Sequence, residues 1–318
     1  MRSRPPISAA ALATAVALLV APEAHAAPRS APPAASAPNH HAHHGYGHPD
    51  RADRPVGRID VEGTVNFRDF GGYRTSFGLH VKTGRVYRAE ALNHVTDAGL
   101  QTLDGLGVKR VVDLRTPAEV AQDGPDRLPA GLAVTPRPVD DTGMFAIVTA
   151  AIGSKDPARQ EAVFGGGRGE EIMRKLYRSF VTDPRSREAF GRTLRETADR
   201  SGTPMVFHCT SGKDRTGWLG YLLLRSLGVP GSTARSDFLL SNQYRAAADA
   251  KVRAGLKAGG YMQNPDLLIP VQEVRPSYLD AALDQVRRSY GSLDRYLRVG
   301  LGVDVRTRTE LRNNLLTR

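Results

Sequence analysis

A short apolar run, a tight basic loop and a strongly apolar segment follow one another around residue 209, and this succession limits the fold more than any other stretch. Residues 204–209 read PMVFHC, which predicts a buried strand. Residues 210–215 read TSGKDR, and residues 216–227 predict a helix that is hydrophobic nearly all round. A buried strand joined through a tight loop to a buried helix indicates an α/β domain with a largely parallel sheet.

Other predicted elements alternate along the chain in the same way. Thr96 can cap a helix over 96–106, which precedes a second buried strand at 108–114. Further helices are predicted at 169–181, 186–199, 277–290 and 306–316. No internal repeat and no second linker interrupts residues 58–318. We therefore expect one domain over that range.

The first 26 residues have the pattern of a secretory signal peptide. Arg2 and Arg4 give a basic start, residues 7–21 are mostly apolar, and Ala24-His-Ala26 offers small residues for cleavage after Ala26. The apolar stretch is shorter than the about 20 residues that a membrane span needs, and an uncleaved anchor is the alternative. We expect an exported protein whose mature chain has no membrane span.

Residues 27–57 are rich in Pro, Ala and His and contain few large apolar side chains. Such a segment cannot bury enough surface to offset the entropy of ordering, so we expect a disordered linker. Its histidines can bind a transition metal adventitiously, and a physiological metal role is the alternative reading; they are His40, His41, His43, His44 and His48.

The formal net charge is +11, and most of the basic residues are arginine. Genome composition is the preferred explanation of this excess, because the chain is also rich in Ala, Gly and Pro, and an anionic ligand is the alternative. The basic residues are spread along the chain, and no dense basic run is interleaved with aromatic residues. This distribution argues against a nucleic-acid partner.

Cys209 is the only cysteine, so it cannot form the internal disulfide that is usual in exported proteins. The alternatives are a buried, inert thiol and a reactive one. A tight loop before a helix turns backbone N–H groups inward and adds the positive end of the helix dipole, which makes a concave anion site. Gly212 permits the unusual backbone of such a loop, and Arg215 can fold over the same concavity to bind two phosphate oxygens.

The positive potential of this loop also predicts a reactive thiol. At a helix N-terminus beside cations, the pKa of a cysteine falls from about 8.5 to roughly 3.5–7.5. We expect Cys209 to attack phosphorus as a thiolate and to form a cysteinyl-phosphate, which water then hydrolyses. Backbone N–H groups and Arg215 would stabilise the charge on the phosphoryl oxygens. The loop supplies the positive potential itself, so no metal or other cofactor is required.

The sequence HCTSGKDRTG resembles the Cys-x5-Arg signature of the protein tyrosine phosphatase superfamily. Four other stretches resemble a bacterial branch with secreted mycobacterial and listerial members: residues 66–74, residues 87–92, Asp113-Leu-Arg115 with Glu119, and residues 290–297. The resemblance covers roughly residues 58–318. It implies a central, mainly parallel four-stranded sheet flanked by helices. It also implies activity on phosphotyrosine, often on phosphoserine and phosphothreonine, and often on phosphoinositides.

The resemblance implies roles for the loop residues. Cys209 is the expected nucleophile, and Arg215 is expected to bind the transition state. Lys213 adds a second cation, as in the loops of phosphoinositide phosphatases. Asp214 is the first candidate for the general acid, with an ion pair to Arg215 as the structural alternative, and Asp113 is the second candidate. The residues expected to hold the phosphate are Thr210, Ser211, Gly212, Lys213, Asp214, Arg215 and Thr216, the last of which can also hydrogen-bond the thiolate.

Residues outside the loop are expected to support it. His208 is expected to orient the loop through hydrogen bonds rather than to transfer protons. A buried pair near the site is expected for Asp113 and Arg115, and a lining or bracing role for Phe67, Arg68 and Asp69. Residues 143–174 contain an apolar stretch followed by three glycines, which indicates either a mobile lid or an ordinary connection.

These observations predict an exported, cysteine-dependent protein tyrosine phosphatase that acts on phosphotyrosine-containing proteins, with dual specificity as an option. The alternative is a phosphoinositide or inositol phosphate phosphatase, which Lys213 favours. A non-catalytic phosphate-binding module is the third interpretation, and the intact pair of Cys209 and Arg215 argues against it.

Overall fold

A five-stranded sheet lies at the centre of the molecule in the computed structural model, which describes residues 57–317. The strands are β1 (Arg68–Asp69), β2 (Val86–Ala89), β3 (Arg110–Asp113), β4 (Val134–Pro136) and β5 (Met205–His208), in the spatial order β1-β2-β5-β3-β4. Strands β2, β5, β3 and β4 are parallel, and β1 pairs antiparallel with β2. The predicted α/β class is confirmed, but the sheet has one strand more than the expected four. The extra strand has only two residues, too few to show a hydrophobic period.

Helices pack around this sheet. Within the described residues, those of seven or more residues are α1 (Asp97–Gly105), α2 (Pro117–Asp123), α3 (Met144–Ser154), α4 (Pro157–Phe164), α5 (Arg168–Thr182), α6 (Pro184–Ala198), α7 (Arg215–Leu227), α8 (Gly231–Ala258), α9 (Pro276–Tyr290) and α10 (Val305–Leu315). Short helical turns lie at Arg200–Gly202, Pro265–Leu268, Ile269–Gln272, Leu293–Arg295 and Tyr296–Gly300. The helices predicted from the sequence are all present, with bounds shifted by a few residues.

The central strand β5 positions the loop that begins at Cys209. It is buried along its whole length between β2 and β3. Its register pairs His208 with Ala89 of β2 and with Asp113 of β3, so three carboxyl strand ends meet where the loop begins. Helix α7 starts at the other end of the loop, and every residue of it except Arg225 is buried. Burial of both neighbours fixes the loop in space.

Helix α8 is the longest helix and was not predicted. Its buried side includes Asp237, Ser241 and Asp249 beside a few apolar residues, so its hydrophobic period is weak. Helices α3 and α4 form within the segment 143–174 and pack on the end of α8 through a separate apolar cluster around Ile152, Phe164 and Leu256.

The expected signal peptide, the linker apart from Gly57, and the histidine tract lie outside the described residues. Within residues 57–317, no helix combines the length and apolar character that crossing a membrane would require.

Candidate active site

The loop 210–214 needs glycine at one position for two reasons. Gly212 has a φ of +66°, and a Cβ atom placed there would lie 2.4 Å from the carbonyl oxygen of Ala89. A side chain at this position would therefore be strained by its own backbone and would also collide with strand β2. Glycine lets the loop pass close to the sheet and turn back into α7.

Buried donors hold the carbonyl groups of this loop from behind. The side-chain amide of Asn66 donates to the carbonyl oxygens of Ser211 and Gly212, at 3.2 Å each. Arg88 donates to the carbonyl of Gly212 at 2.8 Å, and Arg245 donates to that of Ser211 at 3.3 Å. In a trans peptide the N–H points away from the preceding C=O. The N–H groups that follow these carbonyls therefore point to the other side of the loop, as anion binding requires.

A buried carboxylate keeps two of the arginines in place. Asp237 of α8 accepts from Arg68 at 3.2 Å, from Arg88 at 2.7 Å and from the hydroxyl of Tyr73 at 3.0 Å. Burial raises the pKa of Asp237, but the charges of both arginines outweigh burial, and its pKa lies below the ordinary value. The carboxylate stays ionised, and Arg88 stays aimed at the loop.

The thiol of Cys209 is buried at the bottom of the loop. Burial by itself would raise the pKa of this thiol. The charge of Arg215, together with the hydroxyl and backbone N–H of Thr216, outweighs burial, and the pKa of Cys209 falls below its ordinary value. The hydroxyl of Thr216 has no other hydrogen-bond partner among the described residues.

Arg215 is held by a carboxylate to which the sequence analysis gave no role. Its guanidinium contacts both carboxylate oxygens of Glu119, with Nη1 to Oε2 at 2.6 Å, and also donates to the carbonyl of Leu114 at 3.2 Å. Thr210 donates to the same carboxylate at 2.6 Å. Burial raises the pKa of Glu119, but the Arg215 contacts lower it to about 2. The charge of the Glu119 carboxylate fixes the fork of Arg215 beside the loop.

Asp214 does not pair with Arg215, so that alternative is wrong. One of its carboxylate oxygens accepts from the Tyr177 hydroxyl at 2.9 Å, and the other accepts from Nζ of Lys213 at 2.6 Å. Glu119 lies nearer in space to Arg215 and takes that ion pair. Asp214 lines the same cavity as Cys209 and Arg215, so it can reach a ligand bound there.

A second polar cluster lies behind Cys209. The Nε2 atom of His208 lies 2.9 Å from Asp126, and its Nδ1 atom lies 3.4 Å from the carbonyl oxygen of Cys209. Burial lowers the pKa of His208, but the bond to Asp126 outweighs it, and the pKa lies above the ordinary value. Arg115 pairs with Asp126 and with Asp113, each at 2.9 Å. The expected pair of Asp113 and Arg115 is present, but Asp113 does not line the cavity, which removes it as the second acid candidate.

Asp113, Asp126 and His208 are close enough to suggest a metal site, since one ligand atom from each lies within 4.8 Å of the others. The guanidinium of Arg115 already bonds to both carboxylates. A metal ion would have to displace this cation, so the cluster fits an ion-pair network better than a metal site.

The three residues expected to line or brace the pocket do not line it. Arg68 braces the loop through Asp237. Phe67 packs on Tyr87, with ring centroids 5.7 Å apart. Asp69 accepts from the backbone N–H groups of Gly71 and Gly84 and shapes the turn before β2.

The catalytic cavity has a volume of about 210 Å³ and two unlike halves. The half that we call the polar end comprises Glu119, Cys209, Thr210, Ser211, Lys213, Asp214 and Arg215. The half that we call the apolar wall comprises Met144, Phe145, Val148, Ile152, Val252, Leu256, Leu268 and Val271, and the remaining lining residue, Gln272, lies next to Val271 in the chain. Four of the wall residues belong to α3, so part of the segment 143–174 lines the same cavity as the loop.

Sequence reasoning missed Glu119, Asp126, Tyr177 and Arg245 as parts of the site. Glu119 had a usable signal, because Thr116 and Glu119 are spaced as a helix capping box, and the structure contains that box. The other three act across large sequence separations, where spacing carries no information.

Comparison with known proteins agrees with this geometry. Residues 59–317 match the model of the tyrosine phosphatase family. A protein of Cupriavidus necator, whose name assigns it to the tyrosine-protein phosphatases, is 34% identical over 243 residues, which cover 76% of this chain and 82% of that protein. The triple specificity protein phosphatase PtpB of Mycobacterium tuberculosis is 30% identical over 285 residues, covering 81% of this chain and 98% of that protein.

A tyrosine-protein phosphatase of Nostoc commune is 33% identical over 158 residues, which cover 49% of this chain and 48% of that protein. The family match includes all five strands, the loop and the helices around it. The chain therefore belongs to the tyrosine phosphatase family.

Proposed function

We propose that this tyrosine phosphatase hydrolyses phosphotyrosine in proteins by two successive displacements at phosphorus. In the first, the thiolate of Cys209 forms an S–P bond while the P–O bond to the tyrosine breaks. In the second, water attacks phosphorus, the S–P bond breaks, and inorganic phosphate leaves with the thiolate restored. The observation that carries this proposal is the lowered pKa of Cys209 inside a loop whose carbonyl groups are held outward.

Asp214 is the proton donor in this proposal. It is the carboxylate of the polar end that Arg215 does not occupy. Its proton passes to the leaving phenolic oxygen in the first step, and the carboxylate takes a proton from water in the second. The Tyr177 and Lys213 contacts fix the direction of the carboxylate.

The apolar wall favours an aryl phosphate over an inositol phosphate. An aromatic ring next to the phosphate would bury apolar area against α3 and α8. An inositol ring carries an oxygen on each of its six carbons, and Gln272 is the one polar side chain of the described residues that the cavity offers to them outside the polar end. Lys213, which favoured phosphoinositides, is directed at Asp214, with its Nζ 2.6 Å from Oδ2. Action on phosphoserine and phosphothreonine, as the name of the mycobacterial relative suggests, remains part of the proposal.

The pH dependence of alkylation tests the nucleophile. Inactivation by iodoacetate is expected to rise with an apparent pKa below the ordinary value for cysteine, about 8.5. Vanadate should protect the thiol, because it occupies the same loop. An ordinary titration curve without vanadate protection would contradict the proposal.

Side-by-side assays test the leaving group. We expect kcat/KM for a phosphotyrosyl peptide to exceed that for a phosphatidylinositol phosphate in mixed micelles. Lipid turnover that is faster by orders of magnitude would favour the alternative function.

Export is also proposed, from the sequence of residues 1–26. Intact-mass measurement of the protein recovered outside the cytoplasm should show a chain that begins after Ala26. A full-length chain retained inside the cell would contradict it.

A further inference from the structure

A cleft lined by three cationic side chains lies at the end of the sheet opposite to Cys209. It has a volume of about 550 Å³ and is lined by Phe77, Leu79, Lys82, Arg200, Arg312, Asn313, Leu316 and Thr317. Lys82 precedes β2 and Arg200 precedes β5, whereas Cys209 follows β5. The four residues of β5 span about 13 Å, so the cleft is separate from the catalytic cavity.

None of the described carboxylates lines this cleft. Nζ of Lys82 donates to the carbonyl of Asn314 at 3.0 Å, and Arg200 donates to that of Asn313 at 3.3 Å. These carbonyls belong to the last turn of α10, where the helix dipole is equivalent to roughly half a negative charge. Half a charge cannot balance the three cations that line the cleft.

The pKa of Lys82 responds to the same excess of positive charge. Burial lowers the pKa of its ammonium group, and the nearby charges of Arg200 and Arg85 lower it further. Arg85 also contributes a cation without a carboxylate partner among the described residues, since it donates to Thr203 and to the side chain of Asn314. A bound anion would remove this mutual repulsion.

The cleft is a built feature of the fold rather than a gap between mobile side chains. Val81 pairs with Leu316 in an antiparallel bridge, and the backbone N–H of Lys82 donates to the carbonyl of Leu315 at 2.7 Å. The guanidinium of Arg312 lies over the ring of Phe77, 5.2 Å from its centroid. This contact holds Arg312 at the rim of the cleft.

We propose that this cleft is a second anion site, which binds a phosphate ester or diphosphate with at least two negative charges. The guanidinium groups of Arg200 and Arg312 match phosphate oxygens in geometry. Phe77, Leu79 and Leu316 can accommodate a small apolar part of the same ligand. The site is independent of the catalytic proposal, because it shares no residue with the catalytic cavity.

Calorimetric titration with pyrophosphate at low ionic strength tests the site in the Cys209→Ser protein. Arg200→Gln combined with Arg312→Gln is expected to weaken one binding event by about ten-fold or more, as the loss of charge-assisted contacts should. The matched control combines Arg288→Gln with Arg298→Gln, because both are exposed and neither has an ion pair among the described residues. The same isotherm for the cleft and control variants would exclude a free phosphate compound as the ligand and would leave the decision to the vesicle assay below.

A vesicle assay and an activity assay complete the experiment. Sedimentation with phosphatidylcholine vesicles, with and without phosphatidic acid, separates a lipid headgroup from a free phosphate compound as the source of the anion. Weaker binding by the cleft variant in calorimetry or in vesicle sedimentation supports the site, and no difference from the control in both assays overturns it. With Cys209 present, the cleft variant should hydrolyse a phosphotyrosyl peptide at the unaltered rate, so failure of the catalytic proposal would be recognised separately.

Discussion

The polar end of the catalytic cavity is held by ion pairs from many parts of the chain, whereas helix α3 contributes no charged residue to the opposite wall. Arg215, Asp214 and the loop carbonyls each have buried partners. The side chains of the apolar wall carry no charge and no hydrogen-bonding group, so they contact one another only through van der Waals forces. We therefore expect the polar end to determine which reaction occurs and the apolar wall to determine which leaving groups fit.

The largest effect on activity is expected when the nucleophile is removed from the polar end. Cys209→Ser should reduce turnover of a phosphotyrosyl peptide by about 10⁴-fold or more, because a serine hydroxyl is not ionised at neutral pH. Peptide binding, measured by calorimetry, should persist, since the loop and Arg215 remain. Turnover close to that of the unaltered protein would show that another group attacks phosphorus.

Removing the charge that holds Arg215 should have the next largest effect. Glu119→Gln leaves a buried guanidinium without its carboxylate, which costs about 3 kcal/mol or more in the free energy of unfolding. Denaturant unfolding measures this loss. Glu188→Gln is the control, because it breaks an exposed ion pair with Arg195, worth about 1 kcal/mol at most. Equal losses in both variants would contradict the buried role.

The same pair predicts the acid limb of stability. The pKa of Glu119 is lowered from 4.5 to about 2, so its contribution to stability is complete above the unfolded value and is lost as pH falls through the folded value. Between pH 5 and pH 2 the stability difference between the unaltered protein and Glu119→Gln should therefore shrink. A constant difference would exclude this linkage.

A smaller effect on activity is expected from a change in the polar cluster of His208 and Asp126 behind Cys209. Asp126→Asn keeps an acceptor for the backbone of Leu92 but weakens the hold on His208. We expect kcat to fall by about ten-fold, because the loop carbonyl of Cys209 loses a fixed donor. Because the pKa of His208 is raised, its stabilisation is present below the unfolded pKa and is lost as pH rises through the folded one. The gap between the unfolding temperatures of the two proteins should therefore narrow at alkaline pH to the part that the buried Arg115–Asp126 pair contributes, and parallel curves would contradict the role of His208.

The smallest effect should come from the apolar wall. Phe145→Ala is expected to raise KM for an aryl phosphate about five- to ten-fold, as loss of one aromatic contact would, with little change in kcat. Inhibition by inorganic phosphate should stay the same, because the proposed phosphate position lies at the polar end. Ile147→Ala is the control, since Ile147 lies on the same helix but faces solvent and does not line the cavity. Equal changes in both variants would exclude a selective wall.

The parts of the molecule that sequence reasoning predicted well are those with a local cause. Strand β5, the loop and α7 follow each other within 23 residues, and their apolar period, glycine and cations all give the same answer. The partner of Arg215 could not be predicted in this way, because Glu119 is 96 residues distant in the chain. Asp214, the adjacent residue, was the nearest carboxylate in sequence but is directed at Tyr177 instead. Helix α8 was missed because its buried face carries the charges that serve the loop.

The Glu119 carboxylate links the ion pair of Arg215 to the first turn of helix α2. The same carboxylate closes the N-terminal capping box of α2 with Thr116 and holds the guanidinium of Arg215. A substitution that frays the first turn of this seven-residue helix should therefore also release Arg215, which we propose binds phosphate. Local unfolding and loss of affinity become one event, so mild damage to a small peripheral helix is enough to silence the enzyme.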